Sequence, residues 1–97
     1  MRVRILQSAS RDLVEGFHFY EHQQEGLGAY FFDSLSADID SLQLYAGIHS
    51  VHFGRYHRML SRRFPFAIYY RVHEEAVIVH AVLDCRRAPA WIRDRLA

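Results

Sequence analysis

The sequence predicts an α+β fold in the order β-α-α-β-β-β-α, an N-terminal helical hairpin packed on a small, mainly antiparallel sheet. Three observations predict it. Apolar side chains recur at helical spacing between residues 8 and 46, and at a period of two between residues 56 and 83. Glycine and proline fall where one element gives way to the next.

Val3 and Ile5 alternate with Arg2 and Arg4, which makes residues 2–7 a short strand. Ser8 and Ser10 follow as N-cap candidates, and Asp12 and Glu15 fall in the first turns, where the helix dipole favours anions. Leu13, Phe17, Tyr20 and Gln24, with Val14 beside them, trace one face of a helix that runs to about residue 25. Gly26-Leu27-Gly28 breaks it, because glycine accepts the backbone that ends helices. Phe31, Leu35, Ile39, Leu42 and Ala46 carry a second helix, closed at Gly47, with Asp33, Asp38 and Asp40 largely on its other side. Two helices joined by so short a turn must lie antiparallel.

From residue 55 the period changes. Residues 56–63 predict a strand, and Pro65, which cannot sit inside a ladder, marks a turn or strand start. Phe66, Ile68, Tyr70 and Val72 then share one face, with Ala67, Tyr69 and Arg71 opposite, and His73-Glu74-Glu75 forms a polar hairpin turn. Residues 76–83, AVIVHAVL, are apolar on both faces, as in a central strand. Arg86-Arg87-Ala88-Pro89 leads to a last short helix over residues 90–96, with Pro89 near its first turn. Short connections make the last three strands an antiparallel meander. With helices on one side only, the second face must be covered by the C-terminal helix, a second copy, or a segment of another protein.

At 97 residues the chain predicts one domain, residues 1–97, and 51% hydrophobic residues suffice for a core. The lone Cys85 excludes an internal disulfide. The start, MRVRILQSAS, lacks the apolar run of a secretory signal, and no stretch approaches the roughly 18 apolar residues of a membrane span. The expectation is a soluble cytoplasmic protein with no membrane association. All twelve basic residues are arginine. That removes every mechanism needing lysine and supplies planar forks that grip phosphate or carboxylate.

The net charge of +1 conceals an uneven distribution. Residues 51–97 hold nine Arg against four acidic residues, and residues 1–50 hold three against seven. A sheet half this cationic is suited to an anionic partner, whether nucleic acid, a nucleic-acid enzyme or an acidic protein. Arg55, Arg58, Arg62 and Arg63 are the first candidates, and the competing explanation is a strand edge charged against aggregation. Alternation sends Arg62 and Arg63 to opposite faces unless a bulge intervenes. Trp91, with Arg93 and Arg95 nearby, is either a contact to a target or the anchor of the last helix. His80, inside an apolar strand, is either a general base on a cleft or a hydrogen-bonded core histidine. His18 and His22 stand one helical turn apart, but no further ligand pair completes a metal site, so neither a metal nor a cofactor is expected.

Taken together, these residues resemble a family. Asp12-Leu13, Tyr20, Gly26-Leu27-Gly28 and Phe31, then Arg58, Arg63-Phe64-Pro65-Phe66, Tyr69-Tyr70-Arg71-Val72, and finally Val82-Leu83, Arg86-Arg87 and Pro89, follow the order and spacing of the RelE/ParE superfamily of toxins. The resemblance covers nearly the whole chain. It implies the toxin half of a type II toxin–antitoxin system, held in a hetero-oligomer by a cognate antitoxin that wraps around it.

The superfamily divides by target. RelE-like members cut mRNA on the ribosome, and ParE-like members poison DNA gyrase without cutting. Metal-free RNA cleavage needs a base, an acid and fixed cations. On the RelE pattern Arg62 or Arg63 would fill the first cationic place and Arg86 or Arg87 the second, with His80 as a possible base. The Tyr or His that follows the last strand in such nucleases has no counterpart, since Ala88-Pro89-Ala90-Trp91 stands there instead. That ending resembles the ParE, or plasmid-stabilisation, branch, although Asp84 occupies a place where that branch commonly has His. The resemblance therefore implies gyrase inhibition, with Arg55, Arg58, Arg62, Arg63, Arg86, Arg87 and Trp91 as target contacts. The alternatives are a ribosome-dependent endonuclease and a degenerate toxin that only binds its antitoxin.

Overall fold

The molecule was analysed as a computed structural model describing residues 1–97. Strand β1 (Arg2–Ile5) leads into α1 (Gln7–Gln23), α2 (Leu27–Asp40) and the single-turn α3 (Leu42–Tyr45). Strands β2 (Val51–His52), β3 (Tyr56–Leu60), β4 (Phe66–His73) and β5 (Ala76–Asp84) follow, and α4 (Pro89–Leu96) closes the chain. One sheet holds all five strands in the order β1-β5-β4-β3-β2. Only the β1–β5 pair is parallel. This is the expected α+β arrangement, with β5 interior as its doubly apolar sequence requires.

Helices α1 and α2 form the antiparallel hairpin and bury one face of the sheet. Leu13, Tyr20, Phe31, Leu35, Ile39 and Leu42 meet Met59, Phe66, Ile68, Tyr70, Val77, Val79 and Val82 in the main core. The hairpin closes tightly because two glycines omit side chains where the helices touch. A Cβ on Gly28 would stand 2.6 Å from the Phe17 carbonyl oxygen, and one on Gly16 would enter the Phe31 ring. Gly26, at φ 87°, makes the turn. The Glu21 carboxylate accepts from the backbone N–H groups of Gly26 and Gly28, satisfying donors left open at the start of α2.

The other face carries a smaller core of Tyr56, Ala67, Tyr69, Ala81 and Leu83, closed by Ile92 and Leu96 of α4. The C-terminal helix is therefore what covers the second apolar face. A bulge lets β5 serve both cores. Tyr69 pairs with Ala81 and Tyr70 with Val79, leaving His80 without a partner. Val77 and Val79 face the helical hairpin before the bulge, Val82 faces it after, and Ala81 and Leu83 turn to α4. Ser8 donates its hydroxyl to the His80 carbonyl at 3.0 Å, and Asp12 accepts the Val82 N–H at 3.0 Å. These α1 side chains pair backbone groups of β5 beyond the end of β1, where no strand is present to do so.

Four local expectations are corrected. The second predicted strand stops at Leu60 rather than residue 63, and residues 61–65 form a loop in which the Ser61 hydroxyl and Arg62 N–H donate to Asp38. The second helix divides at Ser41, whose hydroxyl bonds the Asp38 carbonyl, so its last turn is the separate α3. Two residues, Val51 and His52, join the sheet edge against His57 and Tyr56. The N-cap of α1 is Leu6, not a serine, because the Leu6 N–H continues the strand pairing onto Val79 and Ser8 is engaged by His80.

Candidate functional site

The candidate arginines separate into two groups. The first lies at the end of the sheet where β3 stops and β5 ends. Arg63 donates to the Tyr30 hydroxyl at 2.7 Å and lies 5.7 Å from that ring's centroid. Arg62 is exposed beside it, so both leave from one loop and the alternation expected of a strand does not apply. Arg86 grips both oxygens of Asp84 through Nε and Nη2, at 2.7–3.2 Å. That fork holds the Asp84 carboxyl below its ordinary value. The residue that departs from the ParE pattern thus neutralises one of the two terminal arginines. Arg87 stacks on Trp91, 4.3 Å from the ring centroid, in cation–π geometry.

Trp91 is 40% exposed, so the anchor of α4 is Ile92 and Leu96 instead. The indole forms a wall of a groove of about 280 Å³ between α1 and α4, lined also by Phe19, Phe66, Leu83, Asp84 and Arg87. Its apolar lining suits a protein contact that inserts a side chain, and its margin sets Arg87 among the carboxylates of Asp12, Glu15 and Asp84.

The second group lies on the α4 side of the sheet. Arg58 pairs across the ladder with Tyr69, placing its guanidinium on that face, and Arg55 is exposed in the turn before β3. His80 belongs here too, its ring edge-on to Tyr56 at 5.2 Å. Partial burial, then the charges of Arg71 and Arg55, lower the affinity of His80 for a proton. His80 is thus a half-buried imidazole in a cationic setting, on a different surface from the Arg63–Tyr30 contact.

Sequence reasoning missed four contributors. Tyr30, which no periodicity singles out, orients Arg63. Arg71 was assigned only a face, and Arg2 and Arg4 only a strand, yet all three project to the α4 side: Arg4 and Arg71 both pair with Ile78, and Arg2 pairs with Ala76. Nothing local signals this, because a parallel pairing across more than 70 residues brings them together. His18 and His22 are exposed on α1, and no cluster of three or more His, Cys, Asp or Glu side chains is placed to hold a metal ion.

Apolar side chains also remain on the outside of the hairpin. Val14, Phe17, Ala29 and Phe32 line an open groove of about 360 Å³ between α1 and α2, with His18 and Asp33 at its margin. Val14 and Phe32 are exposed along it. No helix is long and apolar enough to cross a membrane.

No protein-family model matches the sequence, and no curated protein matches it. Among solved structures, a chain of the chromosomal ParDE TA system from P. aeruginosa superimposes with a TM-score of 0.78. The match covers 84% of this chain and 92% of that one, at 15% sequence identity. The protein therefore has the fold of a chain of that ParDE system, in keeping with the RelE/ParE resemblance of its residues.

Proposed function

We propose that this protein is the toxin of a toxin–antitoxin pair and that it inhibits DNA gyrase rather than cutting mRNA. The fold shared with a ParDE chain over 84% of the molecule carries the first half of this reading. The exposed groove of Val14, Phe17, Ala29 and Phe32 supports it, because it offers an antitoxin helix an apolar seat.

The second half rests on one observation: the groups a ribonuclease would gather round a single phosphate are apart. His80 stands on the α4 face against Tyr56, Arg86 is occupied by Asp84, and Arg63 is held by Tyr30. No Tyr or His follows β5. General acid–base cleavage requires such groups within hydrogen-bond reach of one substrate. The groove under Trp91, with Arg87 and the Arg62–Arg63 loop, is the contact surface for gyrase in this reading.

Purified protein added to gyrase and relaxed plasmid is expected to block supercoiling, and a cognate antitoxin, encoded beside it, is expected to relieve the block. Supercoiling unchanged at all concentrations, with cleaved codons on translating ribosomes, would replace this reading with the endonuclease. Expression without growth arrest would leave only antitoxin binding.

A further inference from the structure

The α4 face of the sheet is roofed over only half its extent. Helix α4 covers Ala67, Tyr69, Ala81 and Leu83, and its last carbonyl, Leu96, accepts from the Tyr56 hydroxyl at 2.9 Å. Beyond Tyr56 and His80 the sheet is open. The register there places Arg4 of β1, Ile78 of β5 and Arg71 of β4 in one row across three adjacent strands. Arg2, Ala76 and His73 form the next row. Arg58 stands on the same face two residues along β4 from Arg71, opposite Tyr69, and Arg55 lies close enough to bias His80.

None of Arg2, Arg4, Arg55, Arg58 or Arg71 has a carboxylate within ion-pair distance. The chain's four ion pairs are His73–Glu74, Arg86–Asp84, Arg93–Asp94 and Arg95–Asp12. The four exposed guanidinium groups of the five, those of Arg2, Arg4, Arg55 and Arg71, repel one another on and beside one sheet face, and a polyanion would relieve that repulsion. We infer that this open half-sheet, built on Arg4 and Arg71 with Arg2 and Arg55 at its margins, binds the phosphate backbone of duplex DNA.

The shape selects among polyanions. The β1–β5 side of the surface is an open concavity of about 1030 Å³ lined by Arg2, Arg4, His73, Glu74 and Glu75, with Met1, Ala76 and Ile78 as its apolar part. An acidic peptide needs buried aromatic or aliphatic anchors for affinity, and none is offered. A single strand needs several aromatic platforms for its bases, and the rows across β1, β5 and β4 offer only the imidazole of His73, beside Glu74. A duplex backbone needs only spaced cations, and strands about 4.8 Å apart supply them. Glu74 and Glu75, at the β4–β5 turn, border the same concavity and would repel phosphate. The track therefore runs across the strands from Arg4 to Arg71 and on toward Arg55, not down to the turn.

This goes beyond gyrase inhibition and is tested without gyrase. Fluorescence anisotropy with a labelled 20-base-pair duplex, titrated with the full chain across a salt series, is expected to show affinity falling as salt rises. The log–log slope should be about −0.9 for each phosphate neutralised. Arg4→Gln and Arg71→Gln should each lessen that slope by about 1 and the double variant by about 2. Arg93→Gln, on the outer side of α4, should leave it unchanged, and Glu74→Gln with Glu75→Gln should tighten binding. All these residues are exposed, and melting curves matching the parent would confirm that the variants fold. Salt-independent or undetectable binding overturns the assignment. So does binding that the double variant retains, tighter binding of single-stranded oligonucleotides, or equal binding of polyglutamate. Loss of DNA binding in Arg4→Gln/Arg71→Gln with supercoiling still blocked would support this site and leave the gyrase reading standing.

Discussion

Asp12 and Arg95 meet at 2.6 Å although they lie 83 positions apart, and this contact joins α1, β5 and α4 at a single carboxylate. Asp12 is 9% exposed and also accepts the Val82 N–H, and Arg95 donates further to the Ser8 carbonyl. Burial pushes the Asp12 carboxyl above its ordinary value, while Val82 and Arg95 pull it back.

Replacing Asp12 with Ala would leave the Val82 N–H and a partly buried guanidinium without their acceptor. A loss of about 3 kcal/mol is expected, read from the urea midpoint at neutral pH. Arg95→Ala should behave differently. It leaves the carboxyl buried without its cation, so the folded-state pKa rises further, and stability should be retained in acid and lost as pH climbs through that pKa. A variant whose stability does not fall with rising pH would contradict the burial assigned to Asp12.

Gly28→Ala places a methyl group against the Phe17 carbonyl and the Glu21 side chain. The backbone cannot yield without spreading α1 from α2, so a cost of about 1–3 kcal/mol is expected despite alanine's better helix propensity. Thermal unfolding measures it. A melting temperature equal to or above the parent's would show that the hairpin is looser than described.

Trp91 and Ile92 are neighbours with opposite roles. Ile92→Ala removes a buried anchor of α4 and should cost about 2–4 kcal/mol. Trp91→Ala should cost less than about 1 kcal/mol, yet weaken inhibition of supercoiling if the groove beneath the indole receives gyrase. Equal destabilisation by both substitutions would return Trp91 to a purely structural role.

Acid should destabilise the fold through His80 and His49. Partial burial lowers both below the ordinary 6.5, assisted by Arg71 and Arg55 at His80 and by His57 at His49. A base with a depressed folded pKa is protonated first in the unfolded chain. Stability is therefore full above about 6.5 and falls as pH drops through that value, until the folded state also takes up the proton. Urea midpoints at pH 7.5 and 5.5 should differ, and His80→Gln should shrink the difference.

How far the sequence spoke for the structure depended on whether the signal was local. Phe31, Leu35, Ile39 and Leu42 declared a helix face because periodicity survives any tertiary context, and all four are buried. Phe66, Ile68 and Tyr70 did the same for a strand. The turn at His73–Glu75 was equally plain, and Glu74 takes φ 55° there. Strand β2 was not legible, since two residues carry no period and their state is set by Tyr56 and His57 across the ladder. Asp12 looked like a dipole complement and is instead a buried clasp, because its partners lie 70 and 83 positions away.

The candidate site divided along the same line. Arg63 and the Arg87–Trp91 stack came from nearby residues and could be nominated. Arg2, Arg4 and Arg71 could not, because charge counted along the chain does not record that β1 inserts beside β5. The acidic-rich first half contributes two arginines to the most cationic surface of the second.

The unpaired residue in β5 has a consequence for anyone editing or aligning this chain. It acts as a frame shift in three dimensions: everything before position 80 points by one parity and everything after by the other. Deleting that position would remove the bulge and leave regular alternation in which Val79 and Val82 still face the hairpin and Ala81 and Leu83 still face α4, so both cores keep their fillings and only the local bend is lost. Loss of that one residue should therefore be tolerated far better than an insertion elsewhere in β5, which would turn every side chain beyond it to the opposite core.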